Sequence, residues 1–237
     1  MVFKKNTELN KSGTQKENKI LLLGPNGQLG DSLQKFLSPL YDLESLDRKK
    51  FDFLNPNNFL DILNARKPKI VINAAAYTDV EGAELDEKSA NTVNNEALKY
   101  ISSACEKLNT ILIHFSTDYV FDGKNGPYTE NNAVKPINIY GSTKLEAEKI
   151  VLGKSGDNLI IRSNVIYDYS RSKANFLNWI IDSLKSKTKI NVVNDQYNNP
   201  TSADSLALAI YKSIEKNING VVHWADEELM NIYRVLK

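Results

Sequence analysis

Short aliphatic runs recur along the chain, each followed by a longer segment in which apolar residues return every three or four positions. The runs are KILLLG at 19–24, YDLESL at 41–46, KIVINAAA at 69–76, TILIHFS at 110–116, NLIIRSNVIY at 158–167, INVV at 190–193 and GVVHW at 220–224. Most are continuously apolar rather than alternating, the pattern of strands covered on both faces. Between them the periodicity predicts helices over 28–38, 57–66, 94–108, 140–152, 173–186 and 203–216. In the last of these, Leu206, Ile210 and Ile214 fall four apart and form one stripe to lay on a sheet. Strand alternating with helix predicts an α/β fold, a Rossmann-like doubly wound parallel sheet with right-handed crossovers. Ligands of such sheets bind at the carboxyl ends of the strands, so chemistry is sought just after each run.

Composition narrows the class without changing that picture. A chain of 237 residues suits one large core rather than two. Hydrophobic content of 41%, charged content of 25% and a formal charge of +1 are those of a soluble globular protein, with nothing that draws it to nucleic acid or a membrane. Cys105 stands alone, so no internal disulfide forms and a reducing compartment is expected. No apolar run approaches the ~20 residues of a bilayer span. Residues 1–18 are polar and lack the apolar core of a signal peptide, so they are expected to form a flexible extension, with 19–237 as the domain and the cytoplasm as its location.

The first candidate site follows the first strand. GPNGQLG sets Gly24, Gly27 and Gly30 three apart, after a buried strand and at the head of a helix. That is the context a dinucleotide-binding loop requires: Gly24 for the tight turn, Gly27 for approach of a pyrophosphate, Gly30 for close packing of helix on strand. The helix N-terminus adds free N–H groups and partial positive charge. The loop lacks the Gly-Lys-Ser/Thr ending of a P-loop. At the end of the second strand, Asp47 is placed to accept from an adenosine ribose, while its neighbour Arg48 would hold a 2′-phosphate. The two argue for NADH and NADPH respectively, and both cofactors stay open.

A second candidate site follows the fourth strand, where Ser116, Thr117 and Asp118 end a buried run. A hydroxyl there can donate to a substrate carbonyl. Further on, Tyr140 and Lys144 share one helix face, and an ammonium beside a phenol lowers its pKa towards the range of a useful proton donor.

In GPNGQLG, VINAAAYTDVEGAE, FSTDYVFDG, KPINIYGSTKLEAEK, the Asn175–Phe176 pair and VVNDQYNNPTSA, taken in order over roughly 19–224, the chain resembles the extended short-chain dehydrogenase/reductases, and within them the dTDP-4-dehydrorhamnose reductase subfamily. The resemblance implies a catalytic trio of Thr117, Tyr140 and Lys144, and hydride transfer from NADPH or NADH to the C4 keto group of a dTDP-4-keto-6-deoxyhexose, for deoxysugar and surface polysaccharide synthesis. It implies that Tyr140 protonates the oxygen, that Lys144 holds the nicotinamide ribose and depresses the tyrosine pKa, and that Thr117 orients the carbonyl. Gly27, Gln28 and Leu29 would meet the pyrophosphate, Asp52 and Phe53 would flank the adenine, and Ala75, Ala76 and Tyr77 would line the cleft. Thr117, Asp118, Val165 and Asn175 would face the nucleotide-sugar substrate. No metal ligands are assigned, and a homodimer is the expected assembly.

Tyr119 stands where the related sugar-nucleotide dehydratases carry a glutamate, which disfavours dehydration. Three positions depart from the subfamily pattern. Val165 replaces a tryptophan, Asn198 replaces a glycine, and the chain ends at Lys237, several tens of residues early. A small substrate lobe beginning near residue 164 is therefore expected. Two other readings are another sugar-nucleotide reductase or epimerase, and a non-catalytic dinucleotide-binding subunit resembling the regulatory subunit of methionine adenosyltransferase.

Overall fold

The computed structural model describes residues 18–168, 176–190, 192 and 194–231, with the side chains of Phe176 and Leu177 left aside. The expected extension, apart from Asn18, and Asn175 lie outside the described residues.

The elements follow in the order β1 (Lys19–Leu23), α1 (Gln28–Leu37), β2 (Asp42–Leu46), α2 (Phe59–Arg66), β3 (Ile70–Asn73), α3 (Val80–Leu85), α4 (Glu87–Asn91), α5 (Ala97–Lys107), β4 (Ile111–Thr117), α6 (Ile139–Leu152), β5 (Leu159–Ser163), β6 (Ile166–Tyr167), α7 (Phe176–Ser186), β7 (Tyr197–Asn198), β8 (Thr201–Ser202), α8 (Ala203–Glu215), β9 (Gly220–His223) and β10 (Met230–Asn231). Six strands form one sheet in the order β2-β1-β3-β4-β5-β9, and every neighbouring pair is parallel. The chain runs outward from β1 to β2 and then returns to β3 on the other side. That reversal opens the crevice in which doubly wound sheets bind ligands.

Both faces of the sheet are covered, which explains the continuous apolar runs. Ile20 and Leu22 of β1 enter one core with Leu29, Leu33 and Leu206, while Leu21 and Leu23 enter the other with Phe59, Leu98 and Ala147. Neighbouring strand residues point to opposite faces, so every position must be apolar when helices lie on both sides. The α8 stripe packs on α1's side, with Leu206 and Ile210 fully buried and Ile214 against the same cluster. Full burial of each such side chain is worth about 2 kcal/mol.

Three expectations are corrected. The predicted strand 158–167 breaks at Asn164 and Val165, and β6 leaves the main sheet to pair with β8. The backbone turns there because Val165 takes φ 36°, which no strand residue does. The predicted strand 190–193 is no strand at 190 and 192, while 191 and 193 lie outside the described residues. The predicted helix 94–108 is α5 preceded by a wide π turn over Thr92–Glu96.

Candidate active site

The glycine loop ends β1 as expected, and each glycine has its own reason. Gly24 has φ +75°, and a Cβ there would come within 2.7 Å of the Ala75 backbone nitrogen, so the turn lies hard against the end of β3. A Cβ at Gly30 would overlap the Gly24 carbonyl, which lets α1 start directly on the turn. Gly27 is different: the nearest atom to a Cβ is 3.7 Å away. The room beside Gly27 is not needed for protein packing. Gly27 is also the N-cap of α1 and makes no side-chain capping bond, so the helix end presents backbone to whatever lies there. An open, side-chain-free helix start beside a crevice fits a dinucleotide pyrophosphate.

The adenosine end is less committed. The Asp47 carboxylate already accepts from the backbone N–H groups of Lys49 (3.1 Å) and Lys50 (3.2 Å) through one oxygen. Arg48 is exposed beside it. Asp52 accepts from the Leu54 N–H and the Asn55 amide, both at 2.9 Å, bonds that hold its carboxyl below the usual carboxylate range. Phe53 leans on Phe51, with ring centroids 5.0 Å apart.

Ala75, Ala76 and Tyr77 continue from β3 across the mouth of the crevice. Asn94, from the π turn, clamps this segment: it accepts from the Tyr77 N–H (3.0 Å), donates to the Tyr77 carbonyl (3.2 Å) and donates to the Thr143 hydroxyl (3.0 Å). The clamp ties the β3 exit to α6.

Thr117 is the last residue of β4, and Tyr140 stands in the first turn of α6. Asn138 caps α6 by accepting from the Gly141 N–H at 2.7 Å, a strong helix start. A Cβ at Gly141 would overlap the Tyr119 carbonyl, so glycine lets the helix press on the chain that follows β4. Tyr140 thereby meets Thr117, whose hydroxyl favours the ionised phenol, and Tyr119, whose ring is edge-on at 5.8 Å. Thr117 also donates to Asp118 at 3.0 Å. Burial pushes the Asp118 carboxyl up, against the lowering effect of bonds from Thr117, Asn164 and the backbone.

Lys144 departs from expectation. Burial, then Asp118, push the Tyr140 phenol above its ordinary value, and Lys144 is not among the groups that act on it. The lysine nitrogen points instead at His114 Nε2, 3.2 Å away, and burial brings its pKa down to about 8. The hydrogen-bond partner of the lysine is therefore a histidine of β4, which the spacing along α6 does not announce. The physical reason is that His114 offers a fully buried amine a hydrogen-bond partner.

Four further polar residues in this layer escaped the sequence reading: Asn73, His114, Glu148 and Arg162. Glu148 accepts from Ser116 (2.5 Å) and takes both prongs of Arg162 (2.8 and 2.7 Å). Arg162 in turn lies 5.2 Å over the Phe121 ring and contacts His223. For Asn73, His114 and Arg162 the signal was present, a polar residue inside each of the runs KIVINAAA, TILIHFS and NLIIRS, where burial tolerates one only if it is paired; Glu148, on the charged helix α6, gave none. Val165 and Asp118 flank the same strand ends, and the Val165 carbonyl accepts from the Thr201 N–H at 3.1 Å. Among the described residues no group of three or more His, Cys, Asp or Glu side chains is arranged to hold a metal ion, and no helix is long and apolar enough to cross a membrane.

The family described as the RmlD substrate binding domain matches residues 18–236. The chain belongs to this family. A dTDP-4-dehydrorhamnose reductase of Aggregatibacter actinomycetemcomitans is 34% identical over 224 residues, 91% of this chain and 76% of that protein. The same enzyme of Burkholderia thailandensis is 39% identical over 190 residues, 80% of this chain and 63% of its own length. A crystal structure of dTDP-4-dehydrorhamnose reductase from Bacillus anthracis in complex with NADP superposes with a TM-score of 0.87 at 31% identity, covering 92% of this chain and 78% of that one. Family membership and the Rossmann-like fold agree with the expectations drawn from the motifs.

Proposed function

We propose that the protein reduces the C4 keto group of a dTDP-4-keto-6-deoxyhexose such as dTDP-4-dehydrorhamnose, with NADPH or NADH as the reductant. The observation that carries this is the meeting of Thr117, at the carboxyl end of β4, with the buried Tyr140 phenol of α6 in a member of this family. Gly24, Gly27, Gln28, Leu29 and Gly30 hold the pyrophosphate on the N-terminus of α1, and Ala75, Ala76 and Tyr77 line the crevice. Asp47, Arg48, Asp52 and Phe53 lie towards the adenosine. When bound, the nicotinamide supplies the hydride. Thr117 donates to the substrate carbonyl and sets its direction, and Tyr140, kept protonated by burial, gives its proton to the oxygen as negative charge develops. Lys144 supplies the cation one turn below. Asp118 and Val165 face the sugar, with Asn175 assigned to the same side.

The test is to mix the protein with dTDP-4-dehydrorhamnose and either NADPH or NADH, and to follow the nicotinamide absorbance. Oxidation is expected. Cofactor binding without oxidation of either would sink the reductase reading and favour a non-catalytic dinucleotide-binding subunit. In Tyr140→Phe, turnover is expected to fall ~100- to 10,000-fold with cofactor affinity retained; unchanged turnover refutes the donor role.

A further inference from the structure

Beneath the Thr117–Tyr140 pair, Asn73, His114 and Lys144 stand in line, none more than 3% exposed. Asn73 and His114 are cross-strand neighbours on β3 and β4, on the face that α6 covers. The Ala75 N–H can only donate, and it lies 3.1 Å from Asn73 Oδ1. The Asn73 amide therefore turns its NH2 towards His114 Nδ1, at 3.1 Å. An amide NH2 has no lone pair to offer, so Nδ1 must be the acceptor. Burial, the largest influence on it, holds the imidazole pKa well below its ordinary value, so the ring is neutral and carries its one proton on Nε2. Nε2 faces the lysine nitrogen at 3.2 Å. Two N–H groups cannot share one hydrogen bond, so Lys144 must supply the lone pair, which only the neutral amine has.

We propose that Asn73 and His114 are positioning residues that set the charge of Lys144: they present an N–H to the lysine nitrogen and favour the amine over the ammonium. Protonating Lys144 then moves the ring proton from Nε2 to Nζ while a proton from solvent enters at Nδ1. The pair gains one proton, and the Asn73–His114 hydrogen bond is lost. The other charged and titratable groups around Lys144 act in defined directions. Glu148, one turn along α6, favours the ammonium, but Arg162 from β5 and Ser116 from β4 already hold that carboxylate. Tyr140 on α6 and Asp118 after β4 lie at the outer end, where Asp118 acts on the phenol. Burial outweighs Glu148 and leaves the lysine near 8. The relay thus opposes the positive charge that Lys144 would lend to Tyr140. Its kinetic consequence rests on the reductase reading, while the tautomer itself does not.

The chain has two histidines, His114 and His223, so ¹⁵N-histidine labelling gives two ring systems, told apart in a His223→Gln sample. At pH 9, His114 is expected to show a bare Nδ1 and a protonated Nε2. A protonated Nδ1 with a bare Nε2 overturns the proposal, whether or not the protein turns over a sugar. Asn73→Asp keeps an oxygen for the Ala75 N–H but offers a carboxylate to Nδ1, which should invert the tautomer and let Nε2 accept from an ammonium. The alkaline limb of turnover should then move up by about one pH unit. A uniform loss of turnover at every pH, with the limb and the tautomer unmoved, also overturns the proposal, because a merely structural contact would give that result.

Discussion

Between β1 and β5 the protein pairs buried charged side chains inside a long parallel sheet, whereas beyond β5 short strands of two residues lie outside that sheet. Glu148 and Arg162 are 2% and 7% exposed in the first region and held on each other and on Ser116, while in the second Tyr197 stands 59% exposed on the two-residue strand β7. The first region is a parallel sheet whose strands share four or five registered residues with each neighbour, and the second adds two small sheets of two-residue strands. From it α8 and β9 return to the main core, and Ile166 of β6 packs against the same cluster. A group held by several partners from different strands keeps its position, and one held by a two-residue ladder opens at small cost. The half of the crevice that would grip the cofactor is therefore rigid, and the half that would meet the sugar is adaptable.

The largest test of this contrast is Arg162→Ala. It strands a buried carboxylate between β4, β5 and α6, and should lower unfolding stability by about 3–5 kcal/mol in urea titration. A loss under 1 kcal/mol would mean that the interior pairing does not hold the first region together. Next, Gly30→Ala drives a methyl into the Gly24 carbonyl, a backbone clash that cannot relax by a rotamer change. About 2 kcal/mol of stability should go, together with cofactor affinity measured by fluorescence titration; intact affinity would contradict the tight strand-to-helix turn.

A pH test follows from Lys144, whose folded pKa of about 8 lies below its ordinary value of 10.5. Below 8 the lysine is charged in both states, and folding carries the full penalty of burying that charge. Between about 8 and 10.5 the unfolded chain binds more protons, so stability rises with pH. The denaturation midpoint of the native protein relative to Lys144→Met should therefore climb from pH 8 to pH 10. A flat difference would mean that the buried layer does not hold the amine.

The smallest effect is expected in the second region. Val165 sits at φ 36°, a conformation that β-branched residues avoid. Val165→Asn, which tolerates it, should raise the melting temperature slightly, by up to about 1 kcal/mol of stability. A marked loss would show that the valine side chain, rather than the turn, matters there.

Much of the first region was legible because its signals are local. A strand's period of two and a helix's of 3.6 recur within a few residues, so β1, β3, β4, α6 and α8 could be placed from their own segments. The glycine loop carries its meaning in the spacing of three residues. By contrast, α3 and α4 have six and five residues, too few to display a period. The pairings β6–β8 and β7–β10 join residues more than thirty positions apart through two-residue contacts, for which no sequence signal exists. The His114 partner of Lys144 was missed for a related reason. Helical spacing puts it on the face of Tyr140, but its partner comes from β4, thirty residues upstream.

By itself the sequence determined the class of fold, the dinucleotide loop, and the order in which Thr117, Tyr140 and Lys144 arrive at one end of the sheet. Each follows from hydrophobic period, glycine geometry or the rule that ligands meet the carboxyl ends of parallel strands. Only the tertiary structure decided which buried polar groups answer one another: Glu148 with Arg162 and Ser116, Asn73 with His114, His114 with Lys144. A buried donor or acceptor must find a partner, and that partner is chosen by distance across the sheet and helix rather than along the chain.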